Sequence, residues 1–194
     1  MKPTLQTAFS VIVLFTISCT KESSQNSSLV STPSSGNSVA AHYIGEHYGG
    51  GVIFYIDSTG QHGLVADTID LGVASWKYWT TRFTTTGATA KRIGAGKLNT
   101  RKIILSQGDS GRYAARLCKK SNRSGYGDWF LPSRDELDSL FSKKKVVGGF
   151  VSDHYWSSSE DDLINAWYVS FTIHGTNFSW TKESKGGVRA IREF

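Results

Sequence analysis

The stretch Gly127-Asp128-Trp129-Phe130-Leu131-Pro132-Ser133-Arg134-Asp135-Glu136-Leu137 constrains this chain more than any other. Pro132 fixes its own φ at about −65° and turns Leu131 away from helix, so the chain must arrive extended and then turn. Ser133 and Glu136 have the S-x-x-E spacing of a capping box, in which the serine oxygen and the glutamate carboxylate satisfy each other's backbone donors. Leu137, Leu140 and Phe141 continue as an i, i+3, i+4 apolar face, and Lys143, Lys144 and Lys145 fall where the helix dipole favours cations. A capped amphipathic helix is therefore predicted from Ser133 onward.

The chain begins with a different kind of segment. Lys2 precedes a mostly apolar run from Leu5 to Ile17, which is short of the roughly 20 residues that span a bilayer. Residues 1–18 read as an export signal. Thr16-Ile17-Ser18-Cys19 resembles the lipobox of bacterial lipoproteins, which makes Cys19 the expected site of lipidation and the membrane the expected partner of that anchor. Lys21-Glu22 resembles the charged export tag of surface lipoproteins, so the expected location is the bacterial outer membrane or cell surface; secretion or a periplasmic location stays open. Residues 19–41 are rich in Ser, Thr, Asn and Gly and read as a flexible tether. The folded domain is expected over residues 42–194, long enough for a core without disulfides.

With Cys19 assigned to the anchor, Cys118 is the one cysteine left in that domain, so neither a disulfide nor a thiolate metal cluster can form within it. In Tyr113-Ala114-Ala115-Arg116-Leu117-Cys118 it reads as a small buried helix residue. Charge is uneven: residues 77–145 hold 16 Lys and Arg against 5 Asp and Glu, and the flanking parts are acidic. On an exported protein this points to polyanionic glycans or anionic surfaces, not to nucleic acid, unless the lysines form only a solvated surface.

Val52-Ile53-Phe54-Tyr55-Ile56, the turn Asp57-Ser58-Thr59-Gly60 and His62-Gly63-Leu64-Val65-Ala66 predict a β-hairpin. Residues 70–96 have no clear period and carry Trp76, Tyr78, Trp79 and Phe83 among threonines, which predicts an irregular segment held by aromatic anchors. A helix capped by Asn99 should carry Ile103, Ile104 and Leu105, and another should start near Asp109-Ser110 and stop before Ser121. Strands are predicted at Tyr155–Ser158, Ala166–Phe171 and Asn177–Trp180, with a turn at His174-Gly175 between the last two. Val188–Phe194 alternates and should close the fold with its arginines largely outward. Strands first, helices in the middle and strands last make this α+β with an antiparallel sheet.

Catalytic patterns are weak. Gly108-Asp109-Ser110-Gly111 and His42 have the look of protease segments, but Ser110 falls at a predicted helix start and Arg112 follows the glycine. The five histidines show no compact metal spacing. Glu160, Asp161 and Asp162 are the one dense acidic cluster, a candidate Ca²⁺ turn or else a solvated one.

Taken together, Gly49-Gly50-Gly51-Val52-Ile53-Phe54-Tyr55-Ile56, Gly60-Gln61-His62-Gly63-Leu64, the Gly127–Leu137 stretch, Tyr155-Trp156-Ser157-Ser158-Ser159-Glu160, Ala166-Trp167 and Val188-Arg189-Ala190-Ile191 resemble the DUF1566, or Lcl C-terminal-like, domain of bacterial surface proteins. The resemblance covers nearly all of residues 43–194. It implies a C-type-lectin-like fold with paired terminal strands, flanking helices and a long loop region that carries ligand contacts. The sugar-binding calcium motifs of lectins are absent, and so is the cysteine pair of the formylglycine-generating relatives. Some relatives engage anionic glycans; their collagen-like stalk is missing here, which leaves a monomeric domain as the expectation.

The resulting expectation is a lipid-anchored, non-enzymatic surface module without an obligate cofactor. Trp76, Trp79 and Trp180 would stack on sugar faces, while Lys91, Arg92, Arg101 and Lys102 would pair with sulfate, phosphate or carboxylate. The rival readings are an envelope protein–protein interaction domain and a hydrolase using acids near Glu160.

Overall fold

The predicted hairpin forms: β2 (Gly51–Ile56) pairs antiparallel with β3 (Gly63–Ala66), with a bulge between Ile53 and Tyr55. Its turn closes on Asp57, whose carboxylate accepts from the backbone N–H of Thr59 at 3.0 Å and from its hydroxyl at 2.6 Å. The computed structural model describes residues 41–172 and 175–194. The expected leader, Cys19, the tether up to residue 40 and the His174 side of the predicted turn lie outside the described residues.

The architecture is α+β, built on two sheets where one was expected. The first has the order β1 (His47–Tyr48), β2, β3, β9 (Ile191–Glu193); the second has β4 (Val73–Ser75), β8 (Lys185–Gly187), β5 (His154–Glu160), β6 (Asn165–Ser170), β7 (Asn177–Thr181). The N-terminal hairpin does meet the C-terminal strand, through β3 and β9. The predicted closing strand is divided, because β8 belongs to one sheet and β9 to the other, and residues 188–190 carry the chain across.

That crossing explains the clearest departure from the alternation rule. Arg189 was expected outward, yet it is fully buried. Its Nε donates to Asp70 Oδ1 at 2.7 Å, Nη1 donates to the carbonyls of Asp67 and Gly148, and Nη2 donates to that of Gly149. Tyr155 Oη donates to the second Asp70 oxygen at 2.6 Å, and burial with that carboxylate pushes the phenol up to about 12. A guanidinium can be buried when every donor finds an acceptor.

Four helices fill the middle: α1 (Gly96–Gln107), α2 (Ala114–Lys120), α3 (Arg134–Ser142) and α4 (Lys144–Val147). The capping box on α3 is present in full, with Glu136 N–H donating to Ser133 Oγ and Ser133 N–H donating to Glu136 Oε2 at 2.7 Å. Two other starts differ from expectation. Helix α1 begins before Asn99, whose buried amide instead donates to Ala90 O at 2.6 Å. Helix α2 starts after Tyr113 with no side-chain cap; Asp109 pairs with Lys120 at 2.7 Å from the preceding loop. In both cases a tertiary partner outcompetes the local cap.

The Gly127–Leu137 stretch is the junction of the molecule. Phe130 exchanges backbone hydrogen bonds with Ile191 of β9, and Pro132 O accepts from Ser158 N–H of β5 at 2.7 Å. Ser133 Oγ also donates to Arg92 O, and Glu136 accepts from Gly94 N–H at 2.7 Å. A Cβ on Gly96 would collide with Glu136 Oε2 and come within 2.9 Å of the Leu131 carbonyl, so a larger residue could enter α1 here only by displacing this junction. Trp129 and Leu131 are buried in one apolar cluster with Trp76, Tyr113, Cys118 and Trp156, while Phe130, Leu137 and Leu140 sit in a second with Val52, Leu64 and Ile191.

Candidate functional site

Strand register places a set of rings on one face of the second sheet. Trp156 lies opposite Tyr168, Tyr168 opposite Phe178, and Ala166 opposite Trp180, so these side chains share a face. Tyr168 and Phe178 stack at 5.6 Å between centroids; Trp180 lies 5.3 Å from Tyr168, 5.9 Å from Trp156 and 5.8 Å from His154. The inner end is fixed and the outer end is open. Trp156 is fully buried and donates its indole N–H to Ala74 O at 3.0 Å, and a Cβ on Gly186 would meet that indole at 2.9 Å. Phe178 is 40% exposed and Trp180 36% exposed. The result is a pre-ordered aromatic terrace with a solvent-facing rim.

A second exposed feature runs beside α1. A groove of about 670 Å³ is lined by Leu98, Ile104, Leu105, Trp129 and Phe130, with cations from Lys97, Arg101, Lys119 and Lys120 around it. Leu98 and Leu105 are exposed although they lie on a helix. Acids neutralise part of the rim, since Lys97 pairs with Glu193 at 2.9 Å and Lys120 with Asp109. Asp128 on the groove wall accepts from Arg192 Nε at 2.8 Å, and that hydrogen bond holds its carboxyl below the usual range. The remaining rim cations, Arg101 and Lys119, face the groove beside its apolar floor.

The residues singled out in the sequence are dispersed. Trp76 is no sugar platform: it is fully buried, donates to Ser157 O at 2.8 Å and lies under the Lys182 ammonium. Trp79 is 77% exposed and packs edge-on against Tyr78. Trp180 is in the terrace. Lys91 sits 4.4 Å above the Trp167 ring, with Arg134 over the same ring at 5.4 Å. Arg92 is exposed, Arg101 lines the α1 groove, and Lys102 donates to Gly87 O at 2.7 Å. Only Trp180 and Arg101 thus belong to extended surfaces. Tyr168, Phe178 and His154 were missed, although Phe178-x-Trp180 beside an aromatic strand is a period-2 signal that could have found them.

The acidic cluster does not form a calcium site. Glu160 is buried, accepting from Thr86 N–H at 2.8 Å, Gly87 N–H at 3.0 Å and the Lys182 ammonium at 2.8 Å. Asp161 accepts from Ser179 Oγ. Asp162 closes its own turn through Ile164 N–H, Asn165 N–H and the Asn165 amide, and those bonds hold its pKa low. The three carboxylates have separate tasks, and no group of His, Cys, Asp or Glu among the described residues is arranged to hold a metal. Cys118 is buried in α2, and burial pushes its thiol well up, which disfavours the reactive thiolate.

Comparison with known proteins identifies a family and a likeness among solved structures. The family model of the Lcl C-terminal domain matches residues 78–192. No curated protein matches the chain. Among solved structures, a fimbrial protein from Bacteroides ovatus is similar at 15% identity and a TM-score of 0.49, over 73% of this chain and 43% of that one. The chain therefore spans less than half the length of that protein.

Proposed function

This chain belongs to the Lcl C-terminal domain family, and from that premise we propose that it is a non-catalytic binding module of the bacterial cell surface whose aromatic terrace recognises glycan. The observation that carries this reading is the rim of Tyr168, Phe178 and Trp180, held in contact before any ligand arrives. Sugar rings offer apolar C–H faces that stack on such rings, and a pre-ordered platform loses little side-chain entropy on binding. Residues 1–18 are read as the leader, Cys19 as the lipidated residue and residues 19–41 as the tether to a domain of residues 42–194. The apolar run and the cysteine after Ser18 support that assignment. The pairing of the N-terminal hairpin with the last strand supports a C-type-lectin-like arrangement.

The test is a glycan array combined with heparin chromatography at several salt concentrations, using the wild type and Trp180→Ala. Retention on a neutral or acidic glycan that drops at least tenfold in Trp180→Ala supports the terrace. Retention that Trp180→Ala leaves intact would sink it. The α1 groove favours a second reading, an envelope protein–protein interaction domain, because its apolar floor lies beside Arg101 and Lys119. Capture of an acidic envelope polypeptide that Leu105→Glu abolishes and Trp180→Ala does not would favour that reading.

A further inference from the structure

Four strands stand at the edges of the two sheets, and three are protected. Strand β1 has two residues and β4 three, and β9 carries Arg192 and Glu193 with Phe130 bridged to Ile191. Strand β7 is different. It has five residues, Asn177-Phe178-Ser179-Trp180-Thr181, with no charge and no proline, and its pairing with β6 runs without a bulge. Soluble proteins blunt exposed edges with short strands, charges, prolines or bulges, and β7 has none of these devices.

The ladder shows which groups the edge presents. Ser170 N–H donates to Thr176 O at 3.1 Å and Lys182 N–H donates to Ile164 O at 2.9 Å, so the even-numbered residues of this strand turn their backbone groups toward β6. In an antiparallel ladder the bonding direction alternates, which directs the N–H and C=O groups of Asn177, Ser179 and Thr181 away from the sheet. Ser184 N–H takes up the Thr181 carbonyl at 2.9 Å, and no other backbone partner for these outward groups occurs among the described residues.

We infer that β7 is a self-pairing edge at which a second copy of this chain adds its own β7 antiparallel, about a twofold axis through Ser179. The pattern is self-complementary in that register. Ser179 meets Ser179 of the second copy, and Asn177 meets Thr181, so every outward-directed residue faces another. Phe178 then lies across from Trp180 on the terrace face, and the two terraces join into one continuous aromatic surface. No like charges oppose each other, and a closed twofold contact leaves no further β7 edge to propagate. This replaces the expectation of a monomer. The inference rests on the strand edge and needs no ligand, so it stands or falls apart from the glycan reading.

Sedimentation velocity on the full chain carrying Cys19→Ser, from about 1 μM to about 1 mM, tests it across the weak range of specific association. A monomer–dimer equilibrium is expected. Ser179→Pro removes the outward N–H together with the exposed hydrogen bond from Ser179 Oγ to Asp161, and should raise the dimer Kd at least tenfold with the circular dichroism unchanged, whereas Ser179→Ala, which loses that side-chain bond alone, should leave the Kd at its wild-type value. In the same background Ser179→Cys should crosslink to a dimer with a short bis-maleimide, and Leu105→Cys should not. A chain that stays monomeric throughout, a dimer that survives Ser179→Pro, or equal crosslinking at both positions overturns the proposal.

Discussion

The two ends of the second sheet are built from the same kinds of residue and treat them in opposite ways. Around β8 and β5, Trp156, Arg189 and Lys182 are fully buried, and their polar atoms are matched one by one. At β7, Phe178 and Trp180 remain partly exposed, and among the described residues the outward backbone groups of the strand have no backbone counterpart beyond Ser184. Burial at one end fixes the irregular loop and the crossing between sheets. Exposure at the other leaves aromatic rings and strand-edge groups facing solvent. The lesson is that residue type does not separate scaffold from surface here; completeness of partnering does.

The comparison breaks first at Arg189. Replacing it with Met should cost about 3–5 kcal/mol, since it strands Asp70 and three carbonyls in the interior. Urea unfolding measures this, and a loss no larger than that of a surface substitution would erase the distinction. Glu160→Gln should cost slightly less, about 3 kcal/mol, because the buried Lys182 loses its anionic partner. Hydrogen exchange should also speed up at the Thr86 and Gly87 amides, which donate to that carboxylate.

Next is the junction. Glu136→Ala should cost about 1–3 kcal/mol, as it removes acceptors for the N–H groups of Ser133 and Gly94 together. Burial raises the Glu136 pKa against those hydrogen bonds. Its titration therefore stabilises the fold below the unfolded carboxylate range and loses that contribution as pH rises through the folded value. At the open end, Trp180→Ala should change stability by no more than about 1 kcal/mol, since the ring is only partly buried.

The smallest effect concerns Asp128, on the α1 groove. Arg192 lowers its pKa from 3.8, so its contribution is complete above that value and disappears as pH falls through the lower, folded one. The carboxylate is well exposed, which limits the contribution to about 0.5–1 kcal/mol. Wild type and Asp128→Asn should therefore differ slightly near neutrality and converge in acid, as followed by urea midpoints at several pH values.

Local chemistry alone determined a good part of this protein. The capping box at Ser133, the Asp57 turn and the β2–β3 hairpin are set by neighbours within a few residues, and each appears as the sequence predicts. The α+β class follows from the order of such segments. Tertiary structure decided what long-range partners control. Asn99 and Asp109 look like caps until Ala90 and Lys120 claim them. Trp76 and Trp180 are the same residue type in similar polar surroundings, and only the fold buries one under Lys182 and leaves the other at a sheet edge. Arg189 looks outward by period until the chain crosses between sheets beside Asp70. Each of these outcomes depends on a group that the fold brings in, 9 residues away for Asn99 and 119 for Arg189, and a local pattern contains no information about where that group will stand.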